Sequence, residues 1–316
     1  MHFPADREEW DEVVCSVYPL NKYVLQNEDF RIKLFSAGRN AKFFANAPYL
    51  EEGGVFYNND LDLNGLNERL SLLLVQYNLN YILLKTRSDI FSSFVSEKSI
   101  DSQYYTFLLD TSVGIDKIWS DKLKGKNRNQ IRKAEKNKFY VQFGCDELLG
   151  DFYKVISECW RDLGTPVHSY ELFRMLLEKF KDKAIIIVLY DGVKPISAAF
   201  LFVIDGVLSH PFAGTINSYK PSSANNLMYW NIIKYACENN IRQFDMGRSR
   251  LGQGTYNFKK SWGGEAKRIY YYYINQSESS VPSYDTTFYK TATTMWKFVP
   301  VKIANYLGPK LIYKII

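Results

Sequence analysis

The sequence predicts an α/β protein built from two similar halves, each with a mixed sheet flanked by helices. Three observations support this fold class. A length of 316 residues suits two domains of ordinary size. A hydrophobic fraction of 46%, with aromatic residues at 16%, is enough for packed cores and excludes a disordered or collagen-like chain. Apolar runs typical of strands and segments with helical spacing also follow one another in a similar order in both halves.

The second half has the clearer pattern of elements. Apolar residues at helical spacing predict helices over Asp146–Leu163 and Ser169–Phe180, on either side of the loop GTPVH. Three β-rich runs, AIIIVLY, PISAAFLFVI and VLSHPFAG, are joined by two Asp-Gly turns and predict an antiparallel meander. Next come a helix over Ala224–Asn240, a strand IRQFDMG, a short helix or turn GTYNFKKSW and a closing strand AKRIYYYYI. This is the element order of a GNAT domain.

The first half repeats this order in a degraded form. The runs FRIKLFSA and AKFFANA predict a hairpin that turns at residues 38–40, and GGVFYN predicts a third short strand. An amphipathic helix over Leu63–Asn78 and the strands YILLKT and YYTFLLD follow. The predicted domains are therefore a degraded N-terminal GNAT-like domain at 1–138, a C-terminal GNAT-like domain at 139–278, and a basic, apolar tail at 279–316.

The net charge of +6 is unevenly distributed along the chain. The segment Lys117–Lys138 holds nine basic side chains against Asp121 and Glu135, and five lysines with no acidic residue lie between Lys290 and the end. Such blocks suit phosphate-bearing ligands, nucleic acid or an anionic membrane surface, although a solvated protein face has the same composition. The apolar residues of the tail fit two arrangements equally well: a segment lying on a membrane surface, or one packed on the protein's own core.

The cysteines and the N-terminus indicate a cytoplasmic protein. Cys15, Cys145, Cys159 and Cys237 are far apart, with no CxxC pair or histidine cluster, so neither a zinc site nor a disulfide framework is expected. The N-terminus lacks the basic and apolar regions of a secretory signal, and no run approaches the ~18 apolar residues that span a bilayer. We therefore expect a cytoplasmic protein that is at most peripheral on the inner face of the membrane, with no metal or redox cofactor.

Several segments resemble the FemAB-related acyltransferases, including those of PEP-CTERM and exopolysaccharide systems. The most specific are FDMGRSRLGQGTYNFKKSWGG at 244–264 and GTPVHS at 164–169. The segments APYLEEGGV, WSDKLKGKNRNQIRKAEKN and WKFVPVKIANYLGP also fall in the order of that family. The resemblance implies a doubled GNAT fold and an enzyme that forms amide bonds. Some members attach amino acids from aminoacyl-tRNA to peptidoglycan precursors, and relatives use CoA thioesters.

The resemblance thus implies an N-acyltransferase acting on an amine of a cell-envelope or polysaccharide precursor. The donor would be an acyl-CoA, an acyl carrier protein or an aminoacyl-tRNA, used as a co-substrate rather than a permanently bound cofactor. The acceptor would be an amine-bearing sugar or peptide, free or lipid-linked, in a cleft between the two halves. A Ser-His-Asp mechanism is not indicated, because the chain has three histidines and no GxSxG segment. The alternative from another class is a non-catalytic nucleic-acid- or lipid-binding module on the same fold.

Lys259 is the first candidate for a catalytic residue, because the resemblance places Phe258 and Lys259 beside the acyl end of the donor. An ammonium there could hold the donor and offset charge on a tetrahedral oxyanion. By spacing alone, FKK is typical of a surface pair after a core phenylalanine. Arg248 directly follows a predicted strand and could bind a phosphate or carboxylate, with an ion pair to Asp245 as the alternative. His168 could accept the proton of the amine, or be a helix cap or a packed residue.

Further binding residues are predicted around these three. GNAT enzymes hold the pyrophosphate of CoA on a glycine-rich helix start, but the equivalent stretch YKPSSANN has no glycine, which argues against ordinary acetyl-CoA binding. Ser222 and Ser223, one of which is the expected N-cap, could donate to a phosphate there instead. Arg128 and Arg132 on the basic helix could guide a polyanionic donor or acceptor. The remaining candidates come from the segments that carry the resemblance: Ser249, Tyr256 and Thr165.

Overall fold

The computed structural model describes residues 3–37, 41–59, 61–275 and 287–314, so the predicted hairpin turn at 38–40 lies outside the described residues. The helices are, in chain order, α1 (Glu8–Val17), α2 (Leu63–Gln76), α3 (Ile115–Lys117), α4 (Gly125–Glu135), α5 (Asp146–Leu163), α6 (Tyr170–Phe180), α7 (Ala224–Glu238), α8 (Gly254–Lys260), α9 (Thr287–Trp296) and α10 (Val301–Ile312). The strands are β1 (Leu20–Gln26), β2 (Phe30–Ala37), β3 (Phe43–Ala45), β4 (Val55–Tyr57), β5 (Tyr81–Thr86), β6 (Ile100–Asp110), β7 (Tyr140–Gly144), β8 (Ala184–Asp191), β9 (Lys194–Ile204), β10 (Val207–Thr215), β11 (Gln243–Asp245), β12 (Ser249–Arg250) and β13 (Glu265–Asn275).

One mixed sheet of 13 strands runs through the described part of the chain. Its order is β1-β2-β3-β5-β13-β6-β11-β10-β9-β8-β7, with β4 paired to β2 and β12 paired to β6. Each half contributes the same motif: an antiparallel meander, a helix, and a strand parallel to the last meander strand. These elements are β1-β2-β3, α2 and β5 in the first half, and β8-β9-β10, α7 and β11 in the second. The repeat confirms the predicted fold class, an α/β protein with tandem GNAT-like halves.

Two strands join the halves at the centre of the sheet. β6 precedes residue 138 in the chain, yet it pairs with β11 of the second half. β13 follows residue 138, yet it inserts between β5 and β6. The predicted domain boundary at residue 138 stays a prediction, because strands from both sides of it share this central region.

Helices cover both faces of the sheet. Alternate residues of a strand point to opposite faces, so in β8 Ile186 joins the core under α1, α5 and α6, whereas Ile187 joins the core under α4 and α7. In the first half α2 packs on the sheet through residues such as Leu70. The opposite face of β5 and β13 carries a cluster of aromatic side chains that includes Tyr271 and Tyr273. That aromatic face forms one wall of the site described below.

Local sequence patterns predicted the second half well. α5 has the predicted bounds, and α6 begins after Ser169, whose hydroxyl accepts a hydrogen bond from the backbone N–H of Leu172 at 3.1 Å. α7 begins at Ala224 as predicted, but its N-cap Ser223 has φ 64° and makes no side-chain cap hydrogen bond. Three elements, α1, β1 and β7, were not predicted from the sequence. The two strands lie at the edges of the sheet and bury few residues, which weakens their alternation, whereas α1 has apolar residues at ordinary helical spacing.

The described part of the C-terminal tail forms α9 and α10, which pack on α5. Ala304, Gly308 and Ile312 of α10 are buried, each one turn after the last. Packing on the protein's own core, one of the two arrangements predicted for the tail, is therefore observed. Among the described helices, none combines the length and the apolar composition that a membrane span requires.

Candidate active site

Two clefts meet at the side chains of Glu51 and Arg248. The first, which we call the strand-end cleft, has a volume of about 410 Å³ and lies where β10 and β11 separate. The second, which we call the tyrosine cleft, also has a volume of about 410 Å³ and lies between the aromatic face of β5 and β13 and the loop from α5 to α6. Because both clefts share these two side chains, molecules bound in the two clefts would approach each other there.

A break in strand pairing creates the strand-end cleft. β10 and β11 are parallel partners only over Val207–Ser209 and Gln243–Asp245. β10 then continues beside β9 to Thr215. The backbone that follows β11 instead turns away at Gly247, whose φ of 70° lies in the left-handed region that favours glycine. The separated backbones leave room for an extended ligand at the carboxyl end of β11.

Lys259 lies at this strand end rather than in bulk solvent. α8 presents its half-buried side chain to the strand-end cleft, and Nζ donates to the carbonyl oxygens of Gly247 at 2.9 Å and Arg248 at 3.0 Å. Burial, together with the charge of Arg248, lowers the pKa of Lys259 to about 8 despite the carboxylates of Glu51 and Asp245. An ammonium has three N–H donors, so one remains for a ligand.

Arg248 forms part of the wall of both clefts. Its Nη1 donates to the hydroxyl of Tyr271 at 2.6 Å, and its guanidinium carbon lies 4.8 Å from the ring centre of Tyr104 and 5.6 Å from that of Tyr271. The alternative contact predicted from the sequence, an ion pair with Asp245, is wrong, because the carboxylate of Asp245 pairs with Arg87 instead. Tyrosine side chains therefore hold Arg248 at the junction of the clefts.

Glu51 belongs to a constrained loop between β3 and β4. Ala47 and Tyr49 in this loop have φ values of 43° and 65°, which are uncommon for residues other than glycine. The buried ammonium of Lys85 holds the loop by donating to the carbonyl oxygens of Ala47 at 2.7 Å and Leu50 at 3.0 Å. The carboxylate of Glu51 has no hydrogen bond to the part of the chain that the structure describes, and it faces both clefts.

A buried arginine connects the loop of Glu51 to the end of β11. Arg87 donates through Nε to Glu52 Oε1 at 2.6 Å, and its guanidinium also pairs with Asp245. Burial raises the pKa of Glu52 to about 8, against the effect of Arg87. At Asp245 burial is outweighed by Arg87 and by two further hydrogen bonds, so its pKa is lowered. One cation is thus shared by two buried carboxyl groups, and Asp245 is the one that is ionised at neutral pH.

Aromatic rings and cations line the tyrosine cleft. Tyr104 packs against Tyr271 with ring centres 4.6 Å apart. Burial and the charge of Arg248 lower the pKa of Lys85 to about 7. The other lining residues with aromatic or cationic side chains are Tyr49, Trp160, Tyr273 and Arg250. The cleft therefore suits a ring-shaped or planar group that carries negative charge.

Two buried histidines border the clefts as neutral side chains. His168 lines the tyrosine cleft beside Thr165, is 2% exposed, and is hydrogen-bonded through Nδ1 to the hydroxyl of Tyr18 at 2.9 Å. His210 of β10 lines the strand-end cleft and is hydrogen-bonded through Nε2 to the hydroxyl of Tyr229 at 2.7 Å. Burial lowers the pKa of each histidine to about 3. Such an imidazole is a weak proton acceptor at pH 7.

Three further predicted residues come from the segment that contains Lys259. Phe258 lines the strand-end cleft, with its ring centre 4.9 Å from that of Tyr229. Tyr256 packs edge-on against Phe107, with ring centres 5.1 Å apart, and lines neither cleft. Ser249 is buried in β12. Phe258 is thus the member of this group that a ligand in the strand-end cleft would contact.

The predicted anion-binding side chains are engaged within the protein. Arg128 donates to backbone carbonyl oxygens of the preceding turn, including that of Leu123 at 2.6 Å. Arg132 lies over an indole ring at 5.4 Å. The hydroxyl of Ser222 donates to a backbone carbonyl oxygen at 2.6 Å, and that of Ser223 donates to a glutamine side chain. These four described residues line neither cleft, so the structure does not bring them together with Lys259.

Four residues that shape the site were not predicted from the sequence: Glu51, Lys85, Arg87 and Tyr271. Glu51 lies in APYLEEGGV, one of the segments that resemble the FemAB-related proteins, and this resemblance is the signal that marks its position. Lys85 stands inside the run YILLKT, and a lysine in a predicted buried strand signals a special contact. No local pattern marks Tyr271, because the closing strand contains four consecutive tyrosines.

Comparison with known proteins identifies the domain type and the fold. Residues 122–260 match the acetyltransferase (GNAT) domain family, and this segment includes the meander of the second half, α7 and α8. No curated protein matches the chain in sequence. The crystal structure of FemX has a TM-score of 0.64 at 13% identity, covering 87% of this chain and 93% of that chain.

Two further solved structures have the same overall fold. The C-terminal domain of a putative lysylphosphatidylglycerol synthetase from Agrobacterium fabrum has a TM-score of 0.60 at 12% identity, covering 86% of this chain and 89% of that chain. A tandem GNAT protein from the clavulanic acid biosynthesis pathway has a TM-score of 0.50 at 8% identity, covering 84% of both chains. At these identities the likeness shows the fold.

The domain match covers less than half of the chain, and the solved structures show a likeness of fold. They support an acyltransferase of the GNAT type whose fold is FemAB-like. The coarser part of the resemblance found in the sequence is therefore confirmed. The relation to the subfamily of PEP-CTERM and exopolysaccharide systems stays a prediction.

Proposed function

We propose that this protein is an N-acyltransferase that moves an acyl or aminoacyl group from an activated donor to an amine of a cell-envelope or polysaccharide precursor. One observation carries the proposal: two clefts meet at a carboxylate and a guanidinium, with a lysine ammonium fixed beside them. Donor and acceptor can then approach from different sides, as direct transfer between two substrates requires. A neighbour in fold named as a lysylphosphatidylglycerol synthetase supports aminoacyl transfer as one form of this reaction.

We place the donor in the strand-end cleft. Beyond Ser209 the edge of β10 that faced β11 has no strand beside it in the described part of the chain, so an extended arm such as pantetheine or the aminoacyl end of a tRNA can lie along it. Lys259 can donate its third N–H to the carbonyl oxygen of the acyl group. Because Gly247 and Arg248 already fix the ammonium, it is oriented toward the negative charge that develops on that oxygen. The donor is an acyl-CoA, an acyl carrier protein or an aminoacyl-tRNA.

We place the acceptor amine in the tyrosine cleft and assign Glu51 as its proton acceptor. The amine arrives as an ammonium, and the carboxylate of Glu51 attracts it and removes one proton. The neutral nitrogen then attacks the carbonyl carbon of the donor, and the C–S or C–O bond to the leaving group breaks as the C–N bond of the amide forms. The second proton of the nitrogen passes to the leaving thiolate or alkoxide, and the proton on Glu51 returns to solvent.

Glu51 takes the role that the sequence analysis assigns to His168. Burial lowers the pKa of His168 to about 3, and the hydroxyl of Tyr18 occupies its Nδ1. The carboxylate of Glu51, by contrast, is open to both clefts. The aromatic rings of the tyrosine cleft can pack on a sugar ring or a peptide, and its cations favour an acceptor that also carries an acidic group.

Two adjacent lysines provide a matched test of this site. A thermal-shift screen with acetyl-CoA, longer acyl-CoAs, acyl carrier protein and charged tRNA first identifies the donor, because a bound ligand raises the unfolding temperature. With that donor, Lys259→Met is expected to lower kcat by about 10²- to 10³-fold, whereas exposed Lys260→Met leaves it unchanged. Glu51→Gln is expected to lower kcat by about 10²-fold.

Two results would contradict the assignment. A Lys259→Met protein that kept full activity on a verified substrate would remove the lysine from the mechanism. The absence of product with every donor, together with nucleic-acid binding that weakens steeply with salt, would favour the non-catalytic binding module.

A further inference from the structure

The C-terminal helices are firmly attached to the protein through one side. Gly308 of α10 lies so close to the backbone of Val167 that a Cβ there would be 2.7 Å from its carbonyl oxygen. Arg161 of α5 donates to the carbonyl oxygen of Val299 at 3.0 Å, between α9 and α10. The orientation of the tail relative to the clefts is therefore set by close packing, and a defined side of it faces away from the protein.

That outward side is unusually apolar for a protein surface. Phe298, at the junction of α9 and α10, is 82% exposed, Met295 is 67% exposed and Tyr306 is 65% exposed. Ile303, Leu307 and Leu311 add further exposed apolar surface on α10. Single exposed apolar residues are ordinary, but six within one short segment mark an interaction surface.

The charged side chains of the same segment are all basic. Lys297, Lys302, Lys310 and Lys314 are exposed, and residues 287–314 contain no aspartate or glutamate. A second copy of this chain packed on this side about a two-fold axis would place lysines against lysines, which is repulsive. Nucleic acid would satisfy the lysines but would leave the exposed phenylalanine and aliphatic side chains without an apolar partner. A bilayer that contains anionic lipids matches both the charge and the apolar side chains.

We propose that the outward side of α9 and α10 docks on the surface of an anionic lipid bilayer, with Phe298 and Met295 inserted among the acyl chains. The exposed apolar residues of α10 would lie at the boundary between the lipid headgroups and the acyl chains, and the lysines would contact lipid phosphates. Ile312, on the inward side of α10, lines the tyrosine cleft. Docking therefore holds the tyrosine cleft close to the bilayer, where a lipid-linked acceptor would reach it. This last step rests on the proposed function, whereas the docking itself does not.

Co-sedimentation of the full chain with lipid vesicles tests the docking without any measurement of activity. Vesicles of equal parts phosphatidylglycerol and phosphatidylcholine should bind the protein, and vesicles of phosphatidylcholine alone should bind it at least about tenfold more weakly. Lys302→Gln with Lys310→Gln should weaken binding to the anionic vesicles by roughly 30-fold. Phe298→Ser with Met295→Ser should weaken it by at least about tenfold.

Matched substitutions elsewhere on the surface control for charge and hydrophobicity. Lys126→Gln with Lys136→Gln removes two exposed lysines of the basic helix region, and Leu72→Ser with Val75→Ser removes two exposed apolar residues of α2. Both control pairs should bind vesicles like the unaltered protein. The proposal would be overturned if the protein bound neutral and anionic vesicles equally, or if the control pairs weakened binding as much as the tail substitutions. It would also be overturned if the tail substitutions left binding unchanged. So would sedimentation that shows a dimer in solution dissociated by the Phe298 and Met295 substitutions, because a second copy would then occupy this surface.

Discussion

The shared arginine predicts an unusual effect of replacing Glu52 by glutamine. Glu52 is buried, and Arg87 offsets part of the cost of ionising it, while Asp245 competes for the same cation. Glutamine has nearly the same shape and stays neutral at every pH. Glu52→Gln therefore removes the cost of burying a titrating carboxyl group but leaves the pairing of Arg87 with Asp245 in place.

The sign and size of the effect follow from the pKa of Glu52, which burial raises from 4.5 to about 8. Below pH 4.5 the carboxyl group is protonated in both the folded and the unfolded chain, so its titration does not change the free energy of unfolding. Between pH 4.5 and 8 the unfolded chain releases this proton and the folded chain retains it, so the unaltered protein loses stability as the pH rises. At pH 7 the loss amounts to about 3 kcal/mol, at about 1.4 kcal/mol per pH unit.

Urea unfolding followed by tryptophan fluorescence at pH 4.5 and pH 7 measures this difference. The free energy of unfolding of Glu52→Gln should rise relative to that of the unaltered protein by about 3 kcal/mol between these pH values. Asp245→Asn should have the opposite sign in a lower pH range: relative to the unaltered protein its free energy of unfolding should stay constant between pH 4.5 and 7, and the advantage of the unaltered protein should decline only below pH 3.8. A difference between Glu52→Gln and the unaltered protein that did not change with pH would show that Glu52 stays ionised, and would refute this account of the network.

Three other substitutions test separate contacts. The unaltered protein should lose about 2 kcal/mol of stability relative to His168→Gln as the pH falls from 6.5 to 5, because burial lowers the pKa of His168 from 6.5 to about 3; urea unfolding measures this. Lys85→Met removes two hydrogen bonds that position the loop of Glu51, so steady-state kinetics should show kcat lowered by about tenfold with little change in the KM of the donor. Gly247→Ala forces an alanine into the left-handed region and should lower the free energy of unfolding, measured by thermal unfolding, by about 1–2 kcal/mol. An unchanged free energy of unfolding would show that the turn relaxes.

The sequence predicted those parts of the fold that depend on local pattern. The meander of β8, β9 and β10 and the bounds of α5 follow from apolar periodicity and from Asp-Gly turns, which act over a few residues. The exchange of β6 and β13 between the halves depends on which strand edges meet in three dimensions. Nothing in the composition of these strands encodes their neighbours, so their place at the centre of the sheet could not be predicted.

The candidate site was predictable only where a motif pointed to it. Phe258, Lys259 and Arg248 were found because one contiguous segment carries them to the strand-end cleft. Glu51 was missed because its orientation depends on a loop with positive φ values and on the distant Lys85. Charge composition alone does not decide the role of Arg128, because a basic helix looks the same in sequence whether its arginines face a ligand or donate to the protein's own carbonyl groups, as Arg128 does.

The strand exchange also explains why the site belongs to neither half alone. Thr106 of β6 donates to Asp245 at the end of β11, and that contact joins a strand of the first half to the strand end beside which Lys259 of α8 lies. Tyr271 of β13 holds Arg248 while the strand itself lies beside β5 of the first half. Each half thus supplies groups that orient the other half's functional side chains. Without the first half, the candidate site would lose the carboxylate of Glu51 and the contacts that β5 and β6 provide.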